Sequence, residues 1–192
     1  SMHLHQSVVD AQGRNIFSAV DGTATDAFAH YLGGLQAYTP DLMLVYAPTV
    51  NSYRRYVAGS QAPTNVQWGH DNRTAGLRVP VSGPAARRVE NRLAGADANP
   101  YLAMAATLAA GLAGMEEKIA PSEPVTGNGY AQARGLPRTF DTAHAQMAAS
   151  AHAARLLGER FVRGYLAVKA LEHDHYLNEI SAWERRYLLP QV

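Results

Sequence analysis

Seven arginines stand between positions 54 and 92: Arg54, Arg55, Arg73, Arg78, Arg87, Arg88 and Arg92. The only acidic residues in that window are Asp71 and Glu90, while the whole 192-residue chain carries a formal net charge of just +1. The excess is therefore local. A guanidinium fork grips carboxylate or phosphate oxygens two at a time, so the window reads as an anion-holding segment. Glu90 within it needs a reason of its own. On a strand, Arg88, Glu90 and Arg92 share one face. Two readings stay open for them. One is a salt-bridged surface strand that adds little stability. The other is a carboxylate that holds a metal ion between arginine clamps for anionic groups. His3 and His5, also two apart, could face one site together or belong to an ordinary surface strand. His144, His152, His173 and His175 have no convergent spacing and read as surface or interface residues. Arg73 and Arg78 flank an apolar stretch, and Arg55 ends a helical turn. Gly59-Ser-Gln-Ala-Pro63 has the composition of a movable flap.

The elements that must position these residues follow from pattern. Residues 2–9 alternate as a strand, and 15–18 suit a short return strand after the Asp10-Ala-Gln-Gly13 turn. Phe28, Tyr31, Leu32 and Leu35 give residues 25–38 helical spacing, with Thr25 as the cap. A short helix is expected over 41–46, opened by Pro40 and stopped by Pro48. Residues 51–56 form a helical turn and 57–65 a loop. Residues 66–79 read as a hairpin or bulged strand pair broken at 69–72. Residues 87–93 alternate again. Asn99 and Pro100 open a helix to about residue 118, whose Ala103, Ala105, Ala106, Ala109, Ala110 and Gly111 suit close packing. Residues 121–137 are a loop. A long helical region runs over 141–187, interrupted near Gly158 or Gly164. The expected class is α+β, a few antiparallel strands backed by several helices, in one domain over residues 1–192.

Composition narrows the function. Hydrophobic residues make up 47% of the chain, enough for a folded core. There is no cysteine, which excludes disulfides and thiolate zinc sites and agrees with a cytoplasmic setting. Near-neutral overall charge argues against a general nucleic-acid or membrane partner. A nucleic-acid module would need Tyr53, Tyr56 and Trp68 to stack bases among the arginines. The longest apolar run, 102–112, is too short to span a bilayer.

Five blocks together resemble the C-terminal part of glutamine synthetases: Asn51-Ser-Tyr-Arg-Arg55, Gly59-Ser-Gln-Ala-Pro-Thr64, Trp68-Gly-His-Asp-Asn-Arg-Thr-Ala-Gly-Leu-Arg78, Arg88-Val-Glu-Asn-Arg-Leu93 and Ala96-Asp-Ala-Asn-Pro-Tyr-Leu102. Met2-His-Leu-His-Gln-Ser7 and Leu136-Pro137 fit as well. The Gly95–Pro100 block and the closing Trp183-Glu-Arg-Arg-Tyr-Leu-Leu189 are most similar to the γ-glutamylpolyamine (γ-glutamylputrescine) synthetase branch. The resemblance implies an ATP-dependent ligase that joins an amine to the γ-carboxylate of L-glutamate through γ-glutamyl phosphate. It implies His3 and Glu90 as ligands of Mg2+ or Mn2+, and His5, Gln6, Ser7, Arg73, Arg78 and Arg88 around ATP. Arg55, Arg73 and Arg92 would hold glutamate, and Arg73 and Gln61 would serve the catalytic step. It also implies a homo-oligomeric double ring.

Three departures bear on these expectations. Gln61 stands where ammonia-using members carry a flap glutamate. Ala85 stands where the family has a lysine before its arginine pair. The family's N-terminal domain and upstream metal-binding glutamates have no counterpart, so the chain is expected to be a C-terminal fragment that is inactive alone. The alternatives are an ammonia-dependent glutamine synthetase and a catalytically silent family member.

Overall fold

The computed structural model describes residues 1–133 and 135–191. Arg134, inside the loop expected over 121–137, and Val192, the end of the expected domain, lie outside the described residues. Four short strands form one sheet: β1 (Leu4–Gln6), β2 (Trp68–His70), β3 (Leu77–Val79) and β4 (Val89–Asn91), in the order β1-β4-β3-β2. β4 pairs antiparallel with β1 and with β3, and its Glu90 lies opposite both His5 and Arg78. Strand alternation then sorts the two faces. Leu4, Leu77, Val79, Val89 and Asn91 are buried on the helix side. His5, Arg78 and Glu90 share the other face.

The antiparallel expectation fails at one pair. β2 and β3 run parallel, Trp68 opposite Leu77 and His70 opposite Val79. Parallel neighbours normally need a crossover of a dozen residues or more. Here Asn72 closes a tight loop instead: its Oδ1 accepts from the Thr74 N–H at 3.0 Å and the Thr74 hydroxyl at 2.6 Å. Asp71 enters that loop at φ 48°, a conformation that Asp tolerates better than most side chains. The first strand is also shorter than residues 2–9, and the expected return strand reduces to isolated bridges at Val9–Asn15 and Ser18–Ala24.

Two helices cover the sheet's inner face. α1 (Asp26–Tyr38) starts where the Thr25 hydroxyl accepts from the Phe28 N–H, as its capping pattern predicts. A 3-10 turn (Thr39–Leu42) and the one-turn α2 (Met43–Tyr46) follow. α3 (Pro100–Glu117) starts at the Asn99 cap and ends at Lys118, φ 55°. α1 and α3 approach backbone to backbone at Gly34 and Gly114: a Cβ on Gly34 would lie 2.6 Å from the Gly114 Cα. The expected close packing of α3 is thus met against another helix, although Ala105 faces outward.

The helical region expected over 141–187 with one interruption is four helices: α4 (Phe140–Ala149), α5 (Ala151–Leu157), α6 (Glu159–Leu177) and α7 (Ala182–Tyr187). Ser150 ends α4 and caps α5, accepting from the Ala153 N–H at 3.0 Å. Gly158 breaks the chain at φ 88°, whereas Gly164 sits inside α6. The Asp41 carboxylate ties α4 to the first 3-10 turn through Gln146 and Ser150. None of the described helices is long and apolar enough to cross a membrane.

The outer face of α3 leaves Tyr101, Met104, Leu108 and Leu112 at 39–77% exposure, one continuous apolar stripe. The chain is expected to self-associate as concentration rises. Light scattering checks this, and Leu108→Lys should suppress it; a monomer across the micromolar range would refute it.

Candidate active site

The polar face of the sheet gathers most of the residues singled out above. Glu90, only 2% exposed, is the centre. Arg78 donates through Nη1 to Glu90 Oε2 at 2.6 Å, and Arg92 donates through Nη1 to Oε1 at 2.8 Å. His3 Nδ1 lies 2.9 Å from the same Oε1, and His5 Nε2 lies 4.0 Å from it. Arg88 Nε donates to His5 Nδ1 at 3.2 Å, so the His5 proton sits on Nε2, facing Glu90. Arg78 also pairs with Asp71 on the rim. The surface-strand reading of the 88–92 segment is therefore replaced by a buried, charge-linked cluster.

Electrostatics follow from this packing. Burial pushes the Glu90 carboxyl upward, but the Arg78 hydrogen bond and the charges of Arg92 and Arg78 outweigh it and hold it below the ordinary carboxylate value. Burial, then the Arg92 charge, hold His3 below its ordinary value against the pull of Glu90. A neutral imidazole is what a metal would require.

Arg55 and Arg92 are the least satisfied members. Arg55 donates through Nη2 to the Leu93 carbonyl and to the Tyr56 hydroxyl, yet its Nε and Nη1 are buried without partners. Arg92 Nε is buried without a partner too, and Nη2 reaches the Gln61 carbonyl at 3.4 Å. Buried donors left open are costly and mark a place for an acceptor. Gln61 itself is exposed, in the left-handed region at φ 63°. Arg73 is exposed beside a cavity of about 730 Å3 that it lines with His70, Asp71 and Asn72.

Not every expected residue joins. The Gln6 side chain lies on the opposite sheet face, where its Oε1 accepts from the Tyr31 hydroxyl; a strand cannot point neighbours the same way. Ser7 lies beyond β1 and is exposed. Arg87 turns away to the Phe17 and Gly22 carbonyls, a structural role. Tyr53, Tyr56 and Trp68 are 5–9% exposed, so base stacking on them is ruled out. His173 and His144 stack on Phe140, and His152 packs on Tyr38.

Sequence reasoning missed Asp97. Its Oδ2 accepts from the Ser52 hydroxyl at 2.6 Å and the Thr49 hydroxyl at 3.1 Å, clamping the 3-10 turn (Val50–Arg55) that carries Arg55. The Thr49/Ser52 capping box was the available signal. Asp97→Ala is expected to lower stability by about 1 kcal/mol. Faster amide exchange confined to residues 50–55 is the matching local readout.

His3 and Glu90 fit part of a metal set. Their 2.9 Å separation matches two adjacent ligands at bond lengths near 2.1 Å, which lie about 3 Å apart in an octahedron. No group of three or more His, Cys, Asp or Glu able to hold a metal occurs among the described residues.

The chain is thus an α+β protein whose mixed sheet carries Arg78 and Arg92 around one buried carboxylate on its polar face. The sequence pattern of the glutamine synthetase catalytic domain matches residues 1–188, and the chain belongs to that family. It is 42% identical to the gamma-glutamylethanolamide synthetase GlnA4 of Streptomyces coelicolor, over 97% of this chain and 40% of that one. It is 40% identical to the gamma-glutamylputrescine synthetase PuuA of Escherichia coli, over 98% and 40%. A glutamate–isopropylamine ligase from Pseudomonas is 36% identical, over 98% and 42%. The solved structure of GmaS without ligand superposes with a TM-score of 0.85 at 34% identity, over 97% of this chain and 44% of that one. The chain thus spans about two fifths of the length of these relatives.

Proposed function

We propose that this chain is the C-terminal part of an ATP-dependent ligase that joins an organic amine to the γ-carboxylate of L-glutamate. The observation that carries the reading is the set of open, buried guanidinium donors on Arg55 and Arg92 beside an arginine-bound carboxylate. A glutamate carboxylate satisfies them. Arg73 stands between glutamate and the transferred phosphoryl group. Arg78 and Arg88 face ATP phosphates, with His5 beside the nucleotide; Gln6 acts from behind, through Tyr31.

In the first step a γ-carboxylate oxygen attacks the terminal phosphorus and ADP leaves. In the second, the amine nitrogen attacks the acyl carbon, phosphate leaves and the nitrogen gives up a proton. Such chemistry depends on positioning and charge stabilisation, which fixed guanidinium groups supply. A divalent ion on His3 and Glu90, Mg2+ or Mn2+, would offset phosphate charge when bound. Its remaining ligands come from outside this chain, so the chain alone is expected to be inactive. The complete protein is proposed to form a homo-oligomeric ring assembly in the cytoplasm.

Gln61 sets the amine. An ammonium ion lacks an apolar part and depends on carboxylates for binding, whereas an amine with a carbon chain also draws on apolar contacts. The names of three relatives carry ethanolamide, putrescine and isopropylamine, which supports an organic acceptor. The test is glutamate- and ATP-dependent phosphate release by the full-length protein with ammonium, ethanolamine, putrescine and isopropylamine. An organic amine is expected to exceed ammonium in kcat/KM by about tenfold or more, and Gln61→Glu to narrow the gap. Arg55→Ala is expected to weaken glutamate use by about 2–5 kcal/mol. Ammonium as the best substrate would restore plain glutamine synthesis; no turnover with any amine would indicate a silent member.

A further inference from the structure

A second cleft opens between the Val50–Arg55 turn and the facing parts of α4 and α6. It comprises a cavity of about 440 Å3 and one of about 370 Å3, joined through Val50, Arg54, Phe140, His173 and Tyr176. No residue assigned above to ligase chemistry lines either part.

Three features of its lining point to one ligand chemistry. The first is an aromatic wall. Phe140 stacks on His173 with centroids 4.6 Å apart, and His173 lies nearly parallel to Tyr176 at 6.0 Å and 13°. Tyr176 remains 47% exposed, so the stack has an open end on which another ring can lie. The second is charge. Arg54 and Arg138 both line the smaller cavity, and neither forms an ion pair with a described residue. The acids nearby are engaged: Glu172 with Lys169 at 2.6 Å, Asp141 with His173 at 3.5 Å. The third is Tyr53 in the same wall, 9% exposed, its hydroxyl buried without a hydrogen-bond partner.

We propose that this cleft binds a small aromatic carboxylate, its ring on the His173–Tyr176 stack and its carboxylate on Arg54 and Arg138. A cavity of this size is ample for a single ring. Arg54 and Arg138 are balanced in the lining by Asp141 and Glu172, so the cleft offers little net charge to offset desolvation, which costs a doubly charged phosphate more than a singly charged carboxylate. Arg54 directly precedes Arg55 on one 3-10 turn, so an occupant bears on the element that presents Arg55.

Phenylacetate is the probe, titrated into this chain by calorimetry and followed by ring-current shifts in the NMR spectrum. Saturable millimolar binding is expected, with shifts at His173 and Tyr176. Phenylphosphate should bind at least about threefold more weakly, and 2-phenylethylamine and acetate about tenfold more weakly. The Arg54→Gln/Arg138→Gln double variant should weaken phenylacetate about tenfold; both residues are exposed, so its circular dichroism should match the parent. Tyr176→Ala should weaken it as well, and Arg88→Gln, in the other site, should not. No saturation by 10 mM, equal binding of the amine, or binding indifferent to the double variant each overturns the proposal.

Discussion

Glu90→Ala is expected to destabilise the fold by about 3–5 kcal/mol, more than any other single truncation on the polar face of the sheet. Breaking a buried ion pair by deleting one partner leaves an uncompensated charge, and that residual charge dominates the loss. Here one carboxylate serves Arg78, Arg92 and His3 at once. Arg92 is 5% exposed and already has an open Nε, so deletion would leave its guanidinium only the long contact to the Gln61 carbonyl. Glu90→Gln keeps the volume and one acceptor oxygen, so it should cost less. Adding Arg92→Met to Glu90→Ala should recover part of the loss, because an apolar pair removes the stranded charge. Urea unfolding with an unchanged m-value measures all three. A Glu90→Ala loss under 1 kcal/mol would show that the cluster is well solvated instead.

Gly34→Ala is expected to be among the most damaging changes in the hydrophobic half. Added methyl groups in packed cores typically cost about 1–3 kcal/mol when neighbours can shift. The neighbours here are backbone: the Cβ would meet the Ala110 carbonyl oxygen and lie within 2.6–2.7 Å of the Gly114 Cα and N. A side chain could swing aside; two helices can only move apart. That separation would also strain the Asn91–Thr107 and Tyr46–Thr107 hydrogen bonds, which join β4 and α2 to α3. A loss of at least about 3 kcal/mol is expected, with Gly114→Ala similar because its Cβ would strike the His30 carbonyl and the same Gly34 backbone. By contrast, Gly164→Ala, with open space around its Cβ inside α6, should stabilise by about 0.5–1 kcal/mol. Wild-type stability in Gly34→Ala would show that α1 and α3 can separate freely.

Much of this architecture was legible because local signals agreed with the global fold. Thr25 before an apolar 3.6 repeat and Asn99-Pro100 before a small-residue run each placed a helix start to the residue. The Arg88-x-Glu90-x-Arg92 alternation placed three side chains on one face; the register pairs Glu90 with His5 and Arg78, and side-chain contacts bring Arg92 to Glu90 and Arg88 to His5. What was not legible depended on distant partners. A six-residue connection between β2 and β3 reads as a hairpin turn. Its parallel outcome depends on the chain segment around Val125, whose N–H reaches the Trp68 carbonyl across 57 positions of sequence. Gln6 was drawn into the site by its neighbours in a contiguous motif, although alternation alone would have sent it to the helix side. Gly158 and Gly164 look alike in sequence; only the first needs a positive φ. The open donors of Arg55 have no local signature, since they arise where a turn, a strand end and the Tyr56 ring converge.

The contact between residue 61 and Arg92 runs through a main-chain oxygen. Every amino acid carries that oxygen, so the latch on Arg92 persists whatever side chain stands there. The exposed side chain takes no part in that contact. If Gln61 sets the amine as proposed, holding and choosing would be divided between two parts of one residue, and an exchange here should redirect acceptor preference without removing the Arg92 contact. The left-handed backbone bounds the repertoire: Gly, Asn and Asp fit it comfortably, while Val, Ile and Thr do not. Variation among relatives that preserve this fold should therefore be wide in polarity at this position but poor in β-branched residues.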